Sequence, residues 1–280
     1  MTDSHDAASD LAIYLYCLAR PECLSLVQGA AEGDLRGLDE RYPVKALEEQ
    51  EDGVVAVIGQ VDPAEFSDQN LQSLDWLGPR AQRHEAVVER IMDASPVLPV
   101  KFGTMFSSRA SLKEFLGRHR KDIVRALDWL RDKAEWSVKG YLVEEDARTI
   151  IAAEDTVVQF RRESLSPSPG LRYLQQKQID VVIETALHAW VARVTHDLHD
   201  VLVHHAVASA ALRCHSSVVT VRPERMVFNG SFLLAPAALA DFRAALSGQQ
   251  HAHQGTGLTL ELRGPWPPYN FCPTLSEGKP

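Results

Sequence analysis

Helical periodicity runs without a break into SPVLPVKFGTMF, residues 95–106, where two prolines end it. Pro96 and Pro99 cannot continue a helix, and each forces extended backbone on the residue before it. Val97, Leu98, Val100 and Phe102 are left for a strand, and because proline cannot donate to a central ladder, that strand must lie at a sheet edge or begin at Pro99. The preceding segment, 78–94, opens with Pro79 at a favourable first helical position and sets His84, Val87, Val88, Ile91 and Met92 on one stripe. After the strand, Ser111 and Glu114 have capping-box spacing, and Leu112, Phe115, Leu116, Ile123, Leu127 and Leu130 follow at helical intervals. This predicts a helix that links two domains.

Either side of this centre the chain alternates between strand and helix signals. LAIYLYCL (11–18) and GVVAVIGQ (53–60) read as strands, with a weaker one at 44–47. EWSVKGYLV (135–143) alternates as a half-buried strand does, and a helix is expected over 146–162, broken by SPSPG at 166–170. A long helix is expected over 171–203, with Ile183, Leu187, Trp190, Val191, Val194, Leu198 and Val201 on one stripe. Strands are expected at 217–221 and 226–234, a short helix from Pro236 through Leu246, a polar loop GQQHAHQGTG, and a last strand at 258–263. Strand, helices, strand, strand, helix, strand is the order of the split βαβ, or ferredoxin-like, arrangement. The expected fold is therefore α+β: a smaller antiparallel-sheet domain over 1–106, a linking helix over 107–133, a ferredoxin-like domain over 134–263 and an extension over 264–280.

The 280 residues suffice for two cores, and a formal charge of -9 gives no electrostatic reason to expect nucleic acid or a membrane surface as partner. The first ten residues are polar and acidic, unlike a secretory leader, and VVAVI at 54–58 falls far short of the about 20 residues a span needs. The expected location is cytoplasmic. Cys17, Cys23, Cys214 and Cys272 lack zinc-site spacing and read as reduced thiols. His84-Glu85 begins like a zincin helix, but Val88 stands where a second histidine is required, so His84 reads as a core or interface histidine held by one hydrogen bond. His196/His199, with Asp197 and Asp200 nearby, reads as a solvated polar stripe, and His251/His253 as a flexible surface segment. No phosphate loop and no GxSxG elbow is present. The reading contains no catalytic residue, no cofactor and no metal.

What stands out is binding material. RGPWPPYNF, 263–271, combines three prolines, three rings and a glycine, so something must receive the rings: the protein's own core, a ligand or another protein. HEAVVERIMDASPVLPVKFGTMF (84–106) and GPWPPYNF (264–271) resemble the two signature segments of the gas vesicle protein F/L family. The resemblance extends more loosely through IYLYCLA (13–19), VVAVIGQVD (54–62) and MVFNGSFLLA (226–235). Lys101 departs from the pattern, since arginine often precedes the phenylalanine there, and the planar fork is lost.

The resemblance implies two α+β domains, the second ferredoxin-like, in a non-enzymatic accessory protein of gas vesicles. It implies contact with the small hydrophobic shell protein, and with other gas vesicle proteins, during assembly or as a minor shell component. Family-motif positions of expected structural role are His84, Glu85, Pro99, Lys101, Phe102, Gly103, Thr104, Gly264 and Pro265. Trp266, Pro267, Pro268, Tyr269 and Phe271 are candidates for partner contact, with folding back onto the protein's own core as the competing expectation. The rival function is a small-ligand sensor built on the ferredoxin-like domain.

Overall fold

The computed structural model describes residues 11–29, 35–49, 53–214 and 222–275. They form two compact units, one gathering the chain up to residue 134 together with residues from 266 onward, the other spanning 135–265. Among the described residues no helix is long and apolar enough to cross a membrane.

The first unit is built on β1 (Ala12–Ala19), which is buried at every residue. It pairs antiparallel with β3 (Val54–Val61), and β2 (Lys45–Glu49) pairs outside β3. The opposite side of β1 takes two short strands in succession, β4 (Val97–Pro99) and β5 (Met105–Phe106), giving the order β2-β3-β1-β4 with β5 also on β1. Pro99 thus stands opposite Cys17 on an edge strand, where its missing donor costs nothing. Burial at every position of β1 follows from cover on both faces. On one face lies α3 (Leu74–Met92), whose Val87, Val88 and Ile91 share a core with Tyr14, Tyr16, Cys17, Val55 and Val57. Against β1, β4 and β5 packs α4 (Arg109–Leu130), with the Phe115 ring 5.2 Å from that of Phe106.

A bulge interrupts the pairing of β1 with β3. Leu15 pairs with Ile58 and Cys17 with Val57, leaving Tyr16 unmatched. The extra residue shifts the alternation, so that Ala12, Tyr14, Tyr16, Cys17 and Ala19 all belong to one core. Short elements complete this unit: α1 (Leu24–Gly29) and α2 (Asp68–Gln72).

In the second unit β6 (Ala134–Leu142), β7 (Ala208–Ala211), β8 (Arg225–Leu234) and β9 (Leu258–Trp266) form an antiparallel sheet in the order β7-β8-β6-β9. Three helices follow β6, namely α5 (Glu144–Glu154), α6 (Thr156–Glu163) and α7 (Pro169–Val203); α8 (Leu239–Ala252) precedes β9. Phe232 of β8 meets Phe242 of α8 at 5.2 Å, and Ala152, Val158, Ile179 and Ile183 form a smaller core among α5, α6 and α7.

Several local expectations are corrected. The helix expected from Pro79 starts at Leu74, placing Pro79 inside it; the early turns are held by Trp76, whose ring packs on Phe66 at 5.3 Å under the Arg80 guanidinium. The capping box of α4 is Ser108 with Ser111, one turn before the expected pair. The single helix expected over 146–162 is two, because Asp155 accepts from the N–H groups of Val157 and Val158 and so starts a new helix. The polar loop at 248–257 is helical through Ala252, with the His253 ring edge-on to Trp190 at 6.0 Å, so HAH is not a flexible segment. The strand β7 was not expected: ASAA lacks strand-forming side chains and is held by main-chain pairing to β8, Ala208 opposite Leu233 and Ala211 opposite Gly230. The strand expected at 217–221 lies outside the described residues.

Candidate functional site

The two sequence signatures meet on the first unit, and the hinge of their meeting is the adjacent pair His84 and Glu85 on α3. Consecutive helical residues point about 100° apart, so His84 turns to the sheet while Glu85 turns aside. His84 is 3% exposed, and its ring lies 5.7 Å from Tyr14, 5.7 Å from Tyr16 and 5.9 Å from Phe102. Tyr14 Oη stands 2.9 Å from His84 Nδ1 and accepts from the Gly103 N–H at 3.1 Å. Gly103 N–H can only donate, so of the two partners Nδ1 is the one that can receive the hydroxyl hydrogen, which places the imidazole proton on Nε2. Burial lowers the His84 pKa from 6.5 to about 4, only partly offset by the Val100 main chain, so the ring is neutral near pH 7.

The segment that supplies Gly103 is shaped by its own residues. Lys101 carbonyl accepts from Thr104 Oγ1 at 2.7 Å and from Thr104 N at 3.2 Å, closing a turn that Gly103 completes at φ 86°. No atom lies near the Cβ position at Gly103, so the backbone angle, not space, requires glycine there. Val100 N donates to Tyr16 carbonyl and Leu15 N to Thr104 carbonyl, tying the turn to β1. Lys101 contributes through its main chain, and its side chain is exposed. Phe102, half-buried, joins Phe66 at 6.0 Å and Tyr14 at 6.1 Å.

Glu85 receives the tail. Tyr269 Oη donates to Glu85 Oε2 at 2.9 Å across a sequence separation of 184 residues. Burial, then the neighbouring Glu85 charge, raises the Tyr269 pKa far above its usual range, so the phenol stays protonated and remains a donor. Pro267 and Pro268 are buried, and Tyr269–Phe271 forms a single 3₁₀ turn closed by Phe271 N to Pro268 carbonyl at 3.0 Å. Cys272 Sγ donates to the same carbonyl at 3.0 Å. Phe271 is half-buried, Pro265 is exposed, and Trp266 is 39% exposed. Gly264 sits at φ 139° with a Cβ position 2.9 Å from the Glu135 carbonyl oxygen and 3.1 Å from the Trp136 ring, so any side chain there collides.

Tyr14 and Tyr16 complete this arrangement and were not singled out from sequence. Their one visible signal is IYLY, two tyrosines two residues apart on one face of a strand. Tyr16 Oη accepts from Leu38 N at 2.8 Å, and burial pushes its pKa up to about 12; Tyr14 is also raised by burial. Two protonated phenols and a neutral imidazole with its basic nitrogen occupied make a locked network, with no group in it poised to take a proton.

Comparison with known proteins gives the family. The family described as gas vesicle synthesis protein GvpL/GvpF matches residues 12–273. The chain belongs to this family. Gas vesicle protein L of a Streptomyces species is 26% identical over 283 residues, covering 96% of each chain. Gas vesicle protein L2 of Halobacterium salinarum is 24% identical, covering 95% of this chain and 93% of that one. Crystal structures of GvpF share the fold: that from Anabaena superposes with a TM-score of 0.69 at 18% identity, and that from Microcystis aeruginosa with 0.61 at 17%, each covering 93% of this chain and 98% of the other. In this gas vesicle protein the signatures at 84–106 and 264–271, which sequence reading treated as separate, form one clasp.

Proposed function

We propose that this gas vesicle protein works by binding: it contacts the major shell protein, and other gas vesicle proteins, in the cytoplasm during assembly or as a minor part of the shell, without catalysis. Membership of the GvpL/GvpF family supports the gas vesicle role. The strand order β7-β8-β6-β9, with helices in the two crossovers, supports reading the second unit as ferredoxin-like.

The observation that carries the binding reading is the division of the tail's rings. Tyr269 is held by Glu85 and the flanking Pro267 and Pro268 are buried, while Trp266 directly before them keeps 39% of its surface exposed. A tryptophan next to a fixed backbone loses little conformational freedom on meeting a partner, and such residues carry interface energy out of proportion to their number. A shell subunit with an apolar face needs cover before it assembles, and a ring mounted this way supplies it.

The test is capture of purified shell protein by the immobilised full chain. The intact chain should retain shell protein, and Trp266→Ala should weaken retention about tenfold or more with an unchanged melting temperature. Empty capture by the intact chain sinks the shell-binding role. Equal capture by the variant returns the tail to a purely internal function.

A further inference from the structure

Helices α5, α6 and α7 line a polar cleft of about 440 Å³ in which the gas vesicle role has no part. Its walls follow from helical spacing. On α5, Glu145, Arg148, Thr149 and Ala152 advance by three, one and three residues and so share one face; on α7, Asp180 and Ile183 stand three apart and turn the same way. Arg162, in the last turn of α6, closes the third side. The apolar floor, Ala152 and Ile183, belongs to the small core that Val158 and Ile179 complete. Arg148 is ion-paired with Glu184, which ties α5 to α7, and Gln159 Nε2 donates to the Ala152 carbonyl, which ties α6 to α5. The cleft is thus built in advance of any occupant, which lowers the ordering cost of binding, and its volume falls in the range of about 300–1,000 Å³ used by small-molecule sites.

The charges of the lining define what fits. With Arg148 answered by Glu184, the cleft keeps one guanidinium, Arg162 on α6, and two carboxylates, Glu145 on α5 and Asp180 on α7. None of these three has an ion-pair partner among the described residues; Asp180 accepts from Gln176 Nε2 at 3.4 Å, and Thr149 Oγ1 donates to the Glu145 carbonyl at 2.9 Å, which leaves the Glu145 carboxylate to a ligand. A nucleotide or phosphate ester would bring its charge against two carboxylates, and a neutral metabolite would leave all three groups unanswered. Among the described residues no three histidine, cysteine, aspartate or glutamate side chains converge as a metal site requires. A molecule with one carboxylate and two cationic groups answers each charge of the cleft with its opposite.

We propose that this cleft binds a basic α-amino acid, with its carboxylate on the Arg162 guanidinium and its two cationic groups on Glu145 and Asp180. The planar fork of Arg162 suits a carboxylate, and the apolar floor of Ala152 and Ile183 receives the methylene chain between the charged ends. The site lies wholly in the second unit and does not involve the Trp266 contact proposed above, so either can fail alone.

The experiment is isothermal titration calorimetry of the full chain with L-arginine, with agmatine, which is arginine without its carboxylate, and with L-glutamate. L-Arginine should bind saturably at a single site with a Kd of about 1 mM or below, agmatine about tenfold more weakly, and L-glutamate not at all. Glu145→Gln and Asp180→Asn, both at exposed positions, should each weaken L-arginine binding about tenfold with unchanged melting curves. Arg162→Ala should weaken L-arginine about tenfold and leave agmatine as it was, so that the two ligands become equal. Absence of saturable L-arginine binding, equal binding of L-glutamate or of agmatine by the intact chain, or affinity indifferent to these three substitutions overturns the proposal. So does a loss on Arg162→Ala that agmatine shares, because Arg162 would then hold the shape of the cleft and not a carboxylate.

Discussion

Protonating His84 would set a cation among the rings of Tyr14, Tyr16 and Phe102 while Tyr14 already offers a hydrogen to Nδ1. Its pKa falls from 6.5 to about 4 on folding, so the unfolded chain binds the proton more readily than the native one. The stabilising contribution is therefore complete above pH 6.5 and is lost as pH falls toward 4, amounting to about 3 kcal/mol at the acid end. Urea titrations at pH 7 and pH 4 should show that His84→Gln, whatever its baseline stability, loses less between the two than the intact chain does. Equal losses would mean that carboxylates alone set the acid limit. The sequence places His84 on an apolar stripe and so makes it legible as a buried histidine. It does not reveal Tyr14, because that contact needs a partner 70 residues away and the correct face of a strand that carries a bulge.

At the scale of elements, hydrophobic period finds most helices and strands, and local hydrogen-bond chemistry decides where they end. Asp155 interrupts a continuous helical pattern because its carboxylate offers two main-chain donors a better partner than the next turn does. The strand β7 escapes notice because small residues form it, and the long-range ladder to β8 is absent from any local pattern. Pro79 shows the opposite bias. A proline suggests a helix start, yet α3 begins at Leu74 behind the N-cap Ser73, whose carbonyl accepts from Leu77 N at 2.8 Å, and Trp76 anchors the early turns on Phe66. Pro79 therefore sits in the helix without the donor that the i–4 carbonyl of Asp75 expects. Because Pro79 is exposed, Pro79→Ala restores that donor without disturbing the core and should stabilise the chain by about 1 kcal/mol or more, seen as a higher urea midpoint at unchanged slope. A lower midpoint would show that Pro79 helps to hold the early turns of α3, with Trp76 on Phe66, in place.

At the scale of the molecule the chain enters the second unit once and leaves it once, at residues 134/135 and 265/266. The two crossings are neighbours, since β6 and β9 are adjacent in the sheet, the Gly264 Cβ position lies 2.9 Å from the Glu135 carbonyl oxygen, and Ser137 Oγ reaches the Arg263 carbonyl at 3.5 Å. The second unit is thus organised as an insertion within the first, an arrangement that single-sequence reading divides into consecutive domains because it proceeds along the chain and cannot see the tail return to Glu85. Residues 135–265 expressed alone should fold, giving dispersed amide resonances and a cooperative melt, because their termini already lie side by side. Residues 1–134 alone lack Tyr269, Pro267 and Pro268, leaving Glu85 without the phenol that donates to it. Joining residue 134 to residue 266 through a short Gly/Ser linker should restore that contact and raise unfolding stability over 1–134 by about 2 kcal/mol or more. Tyr269→Phe in the joined chain should remove about 1 kcal/mol of that gain. If 1–134 proves as stable as the joined chain, the tail does not belong to the first unit's fold, and its rings are left to a partner.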